Sequence, residues 1–141
     1  MYGLKIWGGA AKSHLKLIET QQKRVLRYIF QSTTIVNSRD KFLNLKLLPI
    51  SSLYIFVCAM YIAKNLDKYP IQKIKNQLRT RTANKTNFLI KNWLKEKSRN
   101  QFSFAGPTET NSLPENIKLN ILHCKALTLK KKLKDYLINS L

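Results

Sequence analysis

Residues 13–31 read Ser13-His14-Leu15-Lys16-Leu17-Ile18-Glu19-Thr20-Gln21-Gln22-Lys23-Arg24-Val25-Leu26-Arg27-Tyr28-Ile29-Phe30-Gln31. Leu15, Ile18, Val25, Leu26, Ile29 and Phe30 recur at spacings of three, four and seven, the period of one face of an α-helix. Lys16, Lys23, Arg24 and Arg27 fall mostly on the other faces. The stretch predicts an amphipathic helix with Ser13 as its N-cap, its apolar stripe packed in a core and its outer side basic.

Downstream, residues 32–37 form a β-branched, polar linker. Ser38 is placed to cap a short helix through Leu45, with Phe42 and Leu45 inward, and Leu47-Leu48-Pro49 closes it. Ser51 or Ser52 then caps an apolar helix over 53–66, in which Tyr54, Cys58, Met60 and Tyr61 pack. Its wholly apolar run, Leu53 to Ala63, is eleven residues long. A bilayer needs about 20, so the run predicts a helix buried on most sides. Upstream, Met1 to Ala11 is rich in Gly and aromatic residues, and its spacing fits a helix or a short strand.

Residues 71–101 change character. Lys73, Lys75, Arg79, Arg81, Lys85, Lys91, Lys95, Lys97 and Arg99 stand there against the single acid Glu96. A helix over 86–98 would place Phe88, Trp93 and Leu94 on its apolar side. Gln101 to Phe104 alternates like a short strand, Gly106-Pro107 breaks it, and Asn111 to Asn116 turns about Pro114. The end is helical again: Leu129, Leu133, Tyr136 and Leu137 are spaced four, three and one, with Thr128 as a cap. The predicted class is mainly α: a small helical unit over 1–70, a basic segment over 71–101, and a partly irregular tail over 102–141 that ends in a helix.

The chain of 141 residues carries 26 Lys and Arg against 7 acids, a net charge of +19. Such an excess repels itself and attracts polyanions, either nucleic acid or an anionic membrane surface. The acids Glu19, Asp40, Asp67, Glu96, Glu109, Glu115 and Asp135 form no adjacent pair, so the local carboxylate signature of two-metal nucleotidyl transfer is absent. His14 is expected in solvent and His123, beside Ile121 and Leu122, packed. Gly8-Gly9 lacks the following Lys-Ser or Lys-Thr of a phosphate loop. Cys58 reads as a buried small hydrophobe. Cys124 has no ligand at zinc spacing, and no disulfide, metal or other cofactor is predicted. The expected compartment is reducing and intracellular, and no secretory leader is expected. Basic side chains neutralise phosphates and release counterions, which makes Lys23, Arg24, Arg27, Arg79, Arg81, Lys85, Lys91 and Lys95 the candidate nucleic-acid-binding residues. Phe88 and Trp93 are placed either to stack on bases or to fill the core. Lys130-Lys131-Lys132 with Lys134 fits an import signal or the polar face of a membrane-surface helix.

Several stretches, taken in order, resemble one family. Tyr2-Gly3-Leu4-Lys5-Ile6-Trp7-Gly8 is similar to the segment just past the palm of non-long-terminal-repeat (LINE-type, Jockey-like) retrotransposon reverse transcriptases. Leu17 to Ile29, with Gln21-Gln22-Lys23-Arg24 and Arg27-Tyr28-Ile29, is similar to the helix that follows there. Leu45-Lys46-Leu47-Leu48-Pro49-Ile50 with Leu53-Tyr54 resembles the family's LxILPLxxLY segment. Leu78-Arg79-Thr80-Arg81 looks like its YNTR segment. Phe104-Ala105-Gly106-Pro107 and Asn111-Ser112-Leu113-Pro114-Glu115-Asn116-Ile117-Lys118 resemble GPxLWNSLPxxIK, and Lys130 to Leu137 the closing helix.

The resemblance covers nearly the whole chain. It implies a thumb-like helical unit that grips a template–primer duplex, followed by the family's tail. The family's catalytic aspartates and its endonuclease belong to regions upstream, so the resemblance implies a polymerase fragment without catalysis of its own, with RNA or DNA and the upstream palm as partners. The chain departs from the pattern at Thr110, which stands with Glu109 before it where the family has Trp, and at Leu78-Arg79 in place of Tyr-Asn. Loss of a large aromatic typically costs about 3–5 kcal/mol, which predicts a weakly packed tail. Two rival readings accompany this one. One is a relic or protein-interaction module exposing Met1, Tyr2, Leu4 and Trp7; the other is a basic membrane-surface protein.

Overall fold

The computed structural model describes residues 3–31, 38–73, 86–90 and 102–140. The protein is mainly helical. Along the chain run α1 (Leu4–Trp7), α2 (Lys12–Ile29), α3 (Ser38–Asn44), α4 (Ile50–Lys64), a 3-10 turn (Leu66–Lys68), β1 (Ile71–Lys73), β2 (Thr86–Phe88), α5 (Phe102–Asn111), α6 (Glu115–His123) and α7 (Ala126–Asn139).

α4 is the hub, and its composition explains why. It is apolar on all sides, so it needs neighbours on all sides. α1, α2, α5, α6 and α7 all touch it, and Cys58, Ala59 and Ile62 are completely buried. The buried residues, from Leu4 through Tyr54, Val57, Phe88, Ile117 and Leu133 to Ile138, form one hydrophobic cluster. α7 packs as its spacing predicts, with Leu129, Leu133 and Leu137 buried.

α4 starts at Ile50, ahead of the predicted serine caps. Pro49 precedes it with φ −57, a value already suited to helix entry. No side chain of α4 caps it. Instead the Gln22 amide oxygen, on α2, accepts the Ile50 N–H at 2.9 Å, satisfying one orphan donor of the first turn. Ser13 and Thr128 likewise lie inside their helices, which are preceded by Ala11 and Lys125. α3 ends in a Schellman motif. Lys46 has φ 49, its N–H donates to Leu43 O at 3.0 Å, and the Leu47 N–H donates to Phe42 O at 3.0 Å. This turn carries Leu45 outward, against the expectation, while Phe42 is buried.

Three further expectations are corrected. Residues 86–88 form a strand, paired antiparallel with β1 in the register Ile71↔Phe88; the rest of the helix predicted over 86–98 lies mostly outside the described residues. α5 runs through Gly106-Pro107, where the sequence predicts a break. Proline removes one helical donor, but Gly106, Pro107 and Thr110 are all buried, and that packing outweighs the loss. Gly106 fits because a Cβ there would stand 3.1 Å from the Phe102 ring. Thr110 does not leave the tail loosely packed: it is fully buried and donates its hydroxyl to Gly106 O at 2.8 Å. The turn predicted about Pro114 is present at 112–114, and α6 follows it over residues for which the sequence predicts no element.

Candidate nucleic-acid interface

α2 places the first group of candidate cations. Lys16, Lys23 and Arg27 follow at spacings of seven and four, and Arg24 precedes Arg27 by three, so the four share one side of the helix. Lys23 is tied down, its ammonium 2.7 Å from the Glu19 carboxylate one turn back. Arg24 and Arg27 are exposed, and neither has an ion-pair partner among the described residues. An exposed guanidinium presents a planar set of donors that matches phosphate.

Beside this cationic side a cleft of about 780 Å³ opens between α2, α4 and α5, lined by Lys16, Glu19, Lys23, Tyr54 and Glu109 among others. Tyr54 forms its floor. Burial pushes this phenol well above its ordinary range, with Cys58 the next contributor. Gly8 makes the close approach possible: a Cβ there would collide with the Tyr54 ring and with Leu4 O.

The rest of α2 overturns the expected core stripe. Of the predicted inward residues Leu26 is buried, whereas Ile18, Val25 and Ile29 are 38%, 56% and 58% exposed. Leu17 and Tyr28 are exposed as well. The reason is that α2 lies on α3 and α4 along one narrow edge, and no other described element covers the remainder. Among the described residues α2 thus has three sides: one against the body, one cationic, and one uncovered and largely apolar, with His14 and Gln21 set into it.

No protein-family model matches the chain, and no match is found among curated proteins or among solved structures. The assignment of the interface rests on the residues themselves.

Arg79, Arg81, Lys85, Lys91 and Lys95, together with Trp93, lie outside the described residues. Phe88 is 1% exposed and packs in the core, so it offers no face to a base. Lys130, Lys131 and Lys132 are exposed on the outer side of α7, and Lys132 donates to Asn120 Oδ1 at 3.1 Å. Leu4 is buried, against the expectation that it belongs to an exposed surface; Trp7 is 40% exposed, and Met1 and Tyr2 lie outside the described residues. His14 is exposed as expected, and His123 is exposed where the sequence predicts packing. Among the described residues, no three His, Cys, Asp or Glu side chains gather where they could hold one metal ion. Nor is any helix among them long and apolar enough to cross a membrane.

Sequence reasoning misses one constellation. Asn111 accepts the Phe88 N–H at 2.8 Å and donates to Phe88 O at 3.0 Å. Glu115 accepts the Thr86 N–H at 2.8 Å. Lys118, 3% exposed, reaches Asn87 Oδ1 at 3.3 Å and the Glu115 carboxylate at 3.4 Å. These side chains clamp β2 onto α5 and α6 and satisfy a strand edge that has no second strand among the described residues. The signal for this is the polar cluster Asn111-Ser112 and Glu115-Asn116 flanking Pro114, which reads as a turn unless the distant strand is known.

Proposed function

We propose that the chain is a non-catalytic polynucleotide-binding piece, similar to the C-terminal thumb and tail of a LINE-type reverse transcriptase, that holds RNA or DNA by its sugar–phosphate backbone. The observation that carries this reading is the cationic side of α2, where Arg24 and Arg27 are exposed without acidic partners among the described residues. The net charge of +19 supports it, because counterion release from the nucleic acid then supplies sequence-independent affinity. Arg79, Arg81, Lys85, Lys91 and Lys95 add charge of the same sign. Lys23 is assigned a lesser part, since Glu19 already neutralises it.

A filter-binding salt titration with single-stranded RNA and with duplex tests the reading. Affinity should fall linearly on a log–log plot. R24Q/R27Q should reduce the magnitude of the slope by about one per cation removed, with no change in preference between sequences. A slope near zero, or no retention at low salt, would discard it.

A further inference from the structure

The apolar residues on the side of α2 that no other described element covers have no use in gripping phosphates. We propose that this side is a lipid-docking surface, lying flat in the headgroup layer of an anionic membrane. Its apolar residues are not those of the polynucleotide reading, whereas Arg24 and Arg27 are shared with it, so the test changes the apolar residues alone.

Its basis is geometry and charge. Ile18, Val25 and Ile29 follow at spacings of seven and four on the exposed surface, and Leu17 and Tyr28 extend the face beyond the exposed His14 and Gln21. Ile29 and Val25 are more than half exposed and Tyr28 is 83% exposed. Arg24 stands at the edge of this face beside Leu17, and Lys16 and Arg27 lie on the opposite side of the helix. A helix whose apolar strip is strong, whose average composition is polar and whose flank is cationic is the pattern that settles at a bilayer interface, the strip reaching the acyl boundary and the cations reaching anionic headgroups. Tyr28 suits the boundary itself, with an apolar ring and a polar tip.

The occupant must also complement the charge. A second copy brings another +19 and is repelled. A protein groove would need an acidic rim matched to this one helix. A surface of anionic lipid is negative throughout, and each Lys or Arg near it adds attraction.

The test is co-sedimentation of the full chain with vesicles of phosphatidylcholine, with and without roughly one-third phosphatidylserine. The chain should pellet with the serine-containing vesicles and stay largely in solution with the neutral ones. V25E/I29E should lower the vesicle partition by about tenfold or more; because it also adds two negative charges beside Arg24 and Arg27, RNA retention is read on the uncharged V25S/I29S, which should stay within about twofold of wild type. V25S/I29S, a milder change, should lower the vesicle partition in the same direction, and circular dichroism should report unchanged helix for both because the positions are exposed. Three results would overturn the proposal. If the wild-type chain fails to pellet with anionic vesicles at low salt, this side of α2 does not dock on lipid. If both variants pellet like wild type, the attraction reduces to charge alone. If sedimentation velocity reveals a dimer that V25E/I29E dissociates, the occupant is a second copy.

Discussion

Glu115 links two elements and does so in one ionisation state. Burial alone would raise its carboxyl, but the Thr86 N–H donated to it and the Lys118 ammonium beside it hold it below the usual carboxylate range. The unfolded chain therefore binds more protons at acid pH, and stability rises with pH there. The contribution is present above the ordinary carboxylate range and is lost as pH falls through the lower folded value. E115Q should flatten the acid limb of a urea-stability profile; an acid limb identical to wild type would show that the clamp carries no charge dependence. Two other residues make equally local claims. Lys46 holds a left-handed conformation that costs an L-residue about 1–2 kcal/mol, so K46G should stabilise by roughly 0.5–1 kcal/mol after the added freedom of glycine in the unfolded chain. A lower midpoint in thermal melts would contradict this. Burial pushes the Cys58 thiol up to about 12, so it stays protonated and enclosed. A thiol reagent should label the half-buried Cys124 in the native protein and reach Cys58 only on unfolding.

At the scale of elements, α2 and α7 make an instructive pair. Both have apolar residues at helical spacing, and from the sequence both predict a buried stripe. α7 lies against α4, α6 and α3, and Leu133 is completely buried. α2 touches the body along one edge. L133A should therefore cost about 2–5 kcal/mol, while V25A should stay within about 0.5 kcal/mol of wild type. Equal losses from chemical denaturation would mean that α2 is covered in solution. The join between α2 and α4 includes a polar contact: Gln22 supplies the acceptor that the first turn of α4 lacks. Q22A should cost about 0.5–2 kcal/mol, the range of a lost cap. This contact spans 28 residues in sequence, which is why the nearby Ser51 and Ser52 read as better caps.

For the molecule as a whole, self-repulsion is the largest electrostatic effect. A charge of +19 on one cluster of helices destabilises the compact state, and salt or a polyanion relieves it. Melting temperature should rise from low to moderate sodium chloride. RNA at a hundredfold excess over its dissociation constant should add about 2.7 kcal/mol, as any ligand of the folded state does. A melting curve indifferent to both would remove the claim that charge limits stability. The same excess is why polynucleotide binding can be proposed without coordinates: a count of cations needs no fold. Which cations are exposed was not legible. Lys23 and Arg24 are neighbours in sequence, yet one sits in an ion pair with Glu19 and the other points away.

From the sequence alone came the period of α2 and α7, the burial of α4 on most sides, and the sign and size of the charge. Each is a property of residue type and spacing within a single turn or segment. Tertiary structure decided the rest. It left the apolar strip of α2 bare, carried α5 through Pro107, drew Phe88 into the core and away from any base, and gave Asn111, Glu115 and Lys118 a strand to hold. Spacing specifies which side of an element is apolar. It is silent on what comes to cover that side, because the covering atoms arrive from segments tens of residues away and their contribution depends on the contacts they make there.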